Sequence, residues 1–195
     1  MPPQTFMFIG RSGCGKGTQA ERLVDALKKK EPKRDIFYLE MGQKFRDFIK
    51  KDGYTNALSH NIYEMGGLQP SFLTVYTWSD IFVNGFKEGQ HLIIDGTPRR
   101  LEEAHVLDGA LKFYQREKPA LVYLRVSRKW SEEKLLARKR ADDNKEDIDA
   151  RLAWFDTEVV PAIDFYRNNS DYQFVEVDGE QTIAKVHADI IKWLP

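Results

Sequence analysis

Residues Gly10 to Thr18 form a run of closely spaced glycines that also contains a lysine and a hydroxyl. Its sequence is Gly-Arg-Ser-Gly-Cys-Gly-Lys-Gly-Thr. Glycines allow a tight turn in which several backbone N–H groups point toward one anion. In such loops the lysine reaches the β- and γ-phosphates, and a hydroxyl helps to hold magnesium. The usual pattern has Ser or Thr directly after the lysine, whereas here Gly17 precedes Thr18. The run predicts a phosphate-binding loop; the alternative is a glycine-rich turn with a solvated lysine.

Short apolar runs alternate with longer helical patterns on either side of this loop. We expect five strands, at residues 5–9, 36–39, 91–95, 121–126 and 172–177. Strands that lack clean polar alternation and are separated by helices are typical of a parallel sheet that is covered on both faces. The sequence therefore predicts the α/β class.

Long helical patterns fill the remaining chain. Residues 41–88 look mostly helical, with breaks at Gly53, Gly66-Gly67 and Pro70. Residues 130–140 and 146–167 are predicted as two helices, and Pro161 is expected to kink the second.

Three polar or glycine-containing segments follow predicted strands. They are the glycine-rich loop, Asp95-Gly96 and Gly179. Because ligands of parallel sheets bind at the carboxyl ends of the strands, we expect these segments to meet at one edge.

Composition excludes several functional classes. The 195 residues carry no formal net charge, so the basic excess of a nucleic-acid-binding protein is missing. Cys14 is the only cysteine, which excludes an intramolecular disulfide and a Cys-rich zinc cluster. The first residues lack a signal-peptide pattern, and no apolar run reaches the length of a membrane helix. We expect a cytoplasmic protein that binds neither membrane nor nucleic acid.

Four motifs, in the right order, resemble the adenylate kinase family of nucleoside monophosphate kinases. The first is the glycine-rich loop through Gln19, which departs from the family at Ser12, where proline is usual. The others are Asp-Gly-Thr-Pro-Arg at 95–99, Asp-Asp-Asn at 142–144 with Arg151 downstream, and Val-Asp-Gly at 177–179. The first three together are specific, whereas the fourth alone would mean little.

The resemblance implies a P-loop three-layer fold with a five-stranded parallel sheet, in one domain over residues 1–195. It also implies a helical acceptor-binding segment at about 41–70 and a very short lid at about 138–143. Only three residues lie between Arg138 and Asp142, so a long lid with a metal knuckle is excluded. Such a protein is expected to act as a monomer.

The same resemblance implies an enzyme that moves the γ-phosphoryl group of ATP to a nucleoside monophosphate, with Mg²⁺ held largely through water by Thr18 and Asp95. The expected catalytic residues are Lys16, Arg46, Arg99, Arg138, Arg140 and Arg151. The expected ATP-binding residues are Gly13, Cys14, Gly15, Lys16, Gly17, Thr18, Lys134 and Gly179. The expected acceptor-binding residues are Met41, Gly42, Arg46, Gly96, Arg99 and Glu103.

The acceptor base is where the chain departs most from the family. Met41 replaces the threonine of the family's Thr-Gly pair, and Glu103 replaces a glutamine. A carboxylate only accepts hydrogen bonds, which suits guanine better than adenine. Glu103 could instead face solvent, paired with Arg99 or Arg100. The family favours AMP as acceptor, followed by GMP and then the pyrimidine monophosphates.

Two other functions remain open at this point. The chain could be a P-loop kinase for a different small metabolite, or a nucleotide-binding module without turnover. Arg138-Lys139-Arg140 alone would be read as a solvated helix face. Its combination with Arg46, Arg99 and the loop favours two phosphorylated ligands that face each other.

Overall fold

Five parallel strands form one sheet in the computed structural model, which describes residues 2–138 and 145–194. The order across the sheet is β2-β3-β1-β4-β5, and every neighbouring pair is parallel. The predicted α/β class and parallel sheet are confirmed. The strands are β1 Thr5–Gly10, β2 Ile36–Glu40, β3 His91–Asp95, β4 Ala120–Arg125 and β5 Gln173–Asp178.

Helices connect the strands and cover both faces of the sheet. They are α1 Lys16–Lys30, α2 Met41–Phe48, α3 Tyr54–Glu64, α4 Ser71–Gly85, α5 Leu101–Phe113, α6 Arg128–Arg138, α7 Lys145–Trp154, α8 Val160–Arg167 and α9 Ile183–Ile191. Within the described ranges, no helix is long and apolar enough to cross a membrane.

Alternate residues of β1 enter two separate hydrophobic cores. Phe6 and Phe8 pack with α1 and α9 on one face, while Met7 and Ile9 pack with α4, α5 and α8 on the other. All four side chains are buried, because helices cover both faces. This three-layer arrangement fixes β1, and with it the start of the glycine-rich loop.

The long segment between β2 and β3 is helical, as predicted. Breaks separate α2 from α3 at Gly53 and α3 from α4 at Gly66, Gly67 and Pro70. The predicted lid lies outside the described residues, except for Arg138 at the end of α6.

The single helix predicted over residues 146–167 is instead interrupted. A π-helical turn, Phe155–Val159, separates α7 from α8, and the N–H of Val160 donates to the carbonyl of Phe155. Pro161 follows directly and has no N–H to continue the normal pattern, which accounts for an irregularity here. The predicted kink therefore takes the form of a wider turn.

A buried arginine ties the amino ends of the sheet together. Arg116 donates to the hydroxyl of Thr5 (2.7 Å) and to the carbonyls of Gln4 (2.8 Å) and Gln90 (3.1 Å). Its guanidinium carbon also lies 5.6 Å from the ring centroid of Phe86. Burial lowers the pKa of Arg116 to about 10.

We expect Arg116→Met to lower the free energy of unfolding by about 2–4 kcal/mol, because it removes three hydrogen bonds, one of them to the buried hydroxyl of Thr5. Chemical denaturation would measure this loss. Arg22→Met, at an exposed position of α1, is the matched control and should change stability little. Equal stability of the two variants would contradict this role for Arg116.

Candidate active site

A cleft of about 290 Å³ opens at the carboxyl ends of β1, β2 and β3. Most of the residues predicted from sequence line it together. From the loop and α1 come Gly13, Gly15, Lys16, Gly17 and Thr18; from α2, Met41, Gly42 and Arg46; from the segment after β3, Asp95, Gly96 and Arg99; and from α6 and α7, Lys134, Arg138 and Arg151. The glycine-rich loop and Asp95-Gly96 therefore meet in this cleft as expected, whereas Gly179 does not line it.

The glycine-rich loop turns so that α1 begins at the cleft. Gly13 and Gly15 adopt left-handed backbone conformations, with φ of 82° and 88°. A Cβ on Gly13 would lie only 2.9 Å from the carbonyl oxygen of Ser131, so a larger residue does not fit. In the part of the chain that the structure describes, no side chain caps the start of α1, and the first turn of this helix contains no acid. The first N–H groups of α1 therefore remain available for an anion.

Arg46 and Arg99 enter the cleft already held by neighbouring oxygens. Arg46 donates to the carboxylate of Glu40 and the side-chain oxygen of Gln43, each at 2.8 Å. Arg99 donates from Nε to the carbonyl of Gly96 at 3.0 Å. Burial lowers the pKa of Arg99, although the charges of Glu103 and Asp95 oppose that shift. These contacts orient the guanidinium groups before any ligand binds.

Asp95 ends β3 with a buried carboxylate. Its Oδ1 has no hydrogen-bond partner among the described residues. Burial raises the pKa of Asp95, and the charge of Lys16 acts in the opposite direction. A Cβ on Gly17 would lie 3.2 Å from Asp95 Oδ2, so glycine allows the close approach of α1 at this position. A larger residue at position 17 would require the Asp95 carboxylate to shift slightly.

Comparison with known proteins agrees with this geometry. The adenylate kinase family model matches residues 8–171. An adenylate kinase of Phocaeicola vulgatus is 31% identical over 190 residues, which is 95% of both chains. An adenylate kinase of Bacteroides thetaiotaomicron is 30% identical, over 95% of both chains. An adenylate kinase of Prochlorococcus marinus is also 30% identical, over 90% of this chain and 91% of the relative.

The chain belongs to the adenylate kinase family. The predicted P-loop fold and phosphotransferase activity of the nucleoside monophosphate kinase type are confirmed with it. Family membership also implies the use of ATP.

Three of the predicted adenylate kinase site residues do not reach the cleft surface, and one lies outside the described residues. Cys14 is buried, and burial raises its pKa, so it acts as a small core residue of the loop. Gly179 packs behind the loop, where a Cβ would lie 2.6 Å from Val126 Cγ1 and 3.7 Å from the carbonyl oxygen of Cys14. Arg140 falls in the undescribed interval between α6 and α7.

Glu103 is the third residue away from the cleft, and it does not face solvent either. Its side chain is buried, and Oε2 accepts a 2.8 Å hydrogen bond from the backbone N–H of Arg99. The carboxylate lies in the first turn of α5 and reaches back to the preceding residues, as acids at this position often do. Burial raises the pKa of Glu103. A contact with the acceptor base stays a prediction that this geometry does not support.

The cleft also contains residues that the sequence did not single out, notably Glu40, Tyr63 and Trp154. Glu40 could have been found from the sequence, because it directly follows the predicted strand 36–39. The structure pairs it with Asp95 in the register of β2 and β3. Trp154 has no such signal. Its ring lies 5.5 Å from the guanidinium carbon of Arg99, although 55 residues separate the two.

We expect Asp95→Asn to raise the melting temperature of the ligand-free protein at neutral pH while impairing Mg²⁺-dependent turnover. Removing a buried charge whose pKa is raised stabilises the fold, by about 2–8 °C for about 1–2 kcal/mol. The gain should shrink as the pH falls through the raised pKa, since Asp95 then becomes neutral.

Differential scanning calorimetry across pH would measure this stability change. Asp25→Asn, at an exposed position of α1, is the control and should show no such pH-dependent gain. A lower melting temperature for Asp95→Asn at neutral pH would mean that Lys16 more than compensates for the burial of this charge.

Proposed function

We propose that this chain transfers the γ-phosphoryl group of ATP to AMP and so forms two molecules of ADP. One observation carries the proposal: the amino end of α1 with Lys16 and the pair Arg46 and Arg99 line the same cleft. An anion site at a helix start suits the donor phosphates. A pair of guanidinium groups suits the phosphate of a second ligand.

The donor side would be built from the loop and two helices. Backbone N–H groups of residues 13–18 and the ammonium of Lys16 would hold the β- and γ-phosphates. Arg138 and Arg151 would stabilise the charge that spreads over the transferring group. Lys134 would lie beside the donor, with its ammonium 4.4 Å from the ring centroid of Trp130.

On the acceptor side, the residues need to orient the acceptor phosphate rather than to remove a proton from it. Arg46 and Arg99 would bind the acceptor phosphate, beside the backbone of Met41, Gly42 and Gly96. An oxygen of that phosphate is already a nucleophile, so no general base is required. Catalysis then depends on alignment of the two phosphates and on electrostatic stabilisation in the cleft.

Thr18 and Asp95 would hold the metal that accompanies ATP, largely through water. The unpartnered Oδ1 of Asp95 and the nearby hydroxyl of Thr18 fit a hard cation with oxygen ligands. Bound there, Mg²⁺ would neutralise part of the phosphate charge.

Adenine is supported as the acceptor base by two observations. The relatives quoted above are named adenylate kinases. Glu103 also does not line the cleft, and its Oε2 accepts from the N–H of Arg99, which weakens the case for guanine. That the protein is a monomer stays a prediction, which light scattering would test. Its location in the cytoplasm also stays a prediction, which cell fractionation would test.

Steady-state phosphoryl transfer from ATP to AMP, GMP, CMP and UMP tests the proposal. We expect kcat/KM for AMP to exceed the others by about 10²-fold or more. Lys16→Met should lower turnover by about 10²-fold or more if the activity belongs to this cleft.

Other outcomes of this panel would replace the proposal. A preference for GMP, CMP or UMP would overturn AMP as the acceptor. ATP binding without transfer would favour a nucleotide-binding module. Transfer only to a metabolite that is not a nucleotide would favour a different P-loop kinase.

We expect Glu103→Gln to leave the order of acceptor preference unchanged and kcat/KM for AMP within about threefold of wild type. The side-chain oxygen of glutamine can still accept from the N–H of Arg99, and the substitution removes a buried charge. The same acceptor panel measures this. A change of more than about tenfold in the AMP-to-GMP ratio would show that residue 103 contacts the base.

A further inference from the structure

The loop between α3 and α4, residues 65–70, forms one rim of the cleft. Gly66, Gly67, Leu68 and Gln69 contribute to the lining. Two side chains from the body of the protein hold this loop by its carbonyl groups. Trp154 Nε1–H donates to the carbonyl of Gly66 at 3.1 Å, and Arg100 Nη1 donates to the carbonyl of Gln69 at 2.9 Å.

The loop also lies directly against the backbone of α7. Gly66 has a left-handed conformation, with φ of 62°. A Cβ at this position would lie 2.8 Å from both the Cα and the carbonyl oxygen of Asp147, and 3.2 Å from the Cβ of Ala150. Only glycine permits this approach, so the loop and α7 are in close contact at the point where Trp154 binds.

Each of the two donors is itself fixed near the π-helical turn. Arg100 forms a 2.8 Å ion pair with Glu158, which lies within that turn. Trp154 immediately precedes the turn and faces Arg99. Arg100 and Trp154 therefore connect the loop to the residues that surround the proposed acceptor phosphate site.

The loop is also hydrogen-bonded to α3. The side chain of Gln69 donates to the carbonyl of Ser59 at 2.9 Å and accepts from the Ser59 hydroxyl at 2.8 Å. Both side chains are buried. Holding the loop therefore also holds α3, which is part of the predicted acceptor-binding segment.

We propose that Trp154 and Arg100, with Glu158 behind Arg100, form a clasp that positions the acceptor-binding segment over the cleft. This inference rests on the proposed function for its effect on catalysis. The clasp residues are positioning residues: they hold the loop, and through Gln69 also α3, against α7. Donor binding at the loop and α1 does not depend on them.

Trp154→Phe removes the indole N–H donor but keeps an aromatic ring, which can still pack beside Arg99. We expect the KM for the acceptor to rise about three- to tenfold, the contribution of one hydrogen bond, while the KM for ATP stays within about twofold. Trp193→Phe, at a 45% exposed position outside the cleft lining, is the matched control and should change neither constant.

Gly66→Ala tests the close contact with α7 independently. We expect the same selective rise in the acceptor KM, because the new methyl group would push the loop off α7. Gly89→Ala is the matched control: Gly89 has a similar φ of 78°, but a Cβ there meets nothing within 4 Å. Both substitutions introduce backbone strain, so a difference between the two variants reports the clash at α7.

Hydrogen exchange of the nucleotide-free protein tests the clasp without any activity. In Trp154→Phe and Gly66→Ala we expect amides of residues 59–70 to exchange about threefold faster or more, and those of β1 to remain as in wild type. If wild type phosphorylated no nucleoside monophosphate, the proposed function would fail, and exchange alone would decide whether the loop is clasped.

Two results would overturn the clasp. One is unchanged exchange of residues 59–70 in both variants. The other is a proportional rise in the KM values for acceptor and ATP together with a lower melting temperature, since a general loss of structure would explain that pattern.

Discussion

The open amino end of α1 is the feature on which the rest of the site depends. No side chain of the described residues caps its N–H groups, and they face a cleft at the carboxyl edge of the sheet. That geometry requires left-handed glycines at 13 and 15 and a strand, β1, that is fixed between two cores. An anion bound there would complete this helix end, so phosphate binding and local folding of the loop would rest on the same hydrogen bonds.

A protein without net charge must concentrate positive charge locally to bind two phosphorylated ligands. The cleft collects Lys16, Lys134 and several arginines, and it balances them with Glu40 and Asp95. These acids make the ligand-free cleft less repulsive, because Arg46 is already paired with Glu40. Burial raises the pKa of Asp95, so we expect its carboxylate to oppose folding at neutral pH, in contrast to the paired Glu40.

The π-helical turn joins segments that are far apart in the chain. Asp156 binds Arg11 of the phosphate loop at 2.5 Å, and Glu158 binds Arg100 after β3. Both acids are within one turn, so the donor loop and the acceptor side are attached to the same short element. This irregular turn therefore carries acids that contact both sides of the site.

The sequence by itself determined the phosphate loop, the α/β class, the strands and the family, because these depend on local spacing and on short apolar runs. It also placed Lys16, Arg46, Arg99 and Arg151 in one cleft through motif order. Tertiary structure alone decided the positions of Glu103 and Trp154. The motif left Glu103 either on the acceptor base or facing solvent beside Arg99 or Arg100, and only the fold shows that it is buried and accepts from the N–H of Arg99. Trp154 reaches Gly66 across 88 residues, a contact that depends on how α7 packs and not on any local pattern.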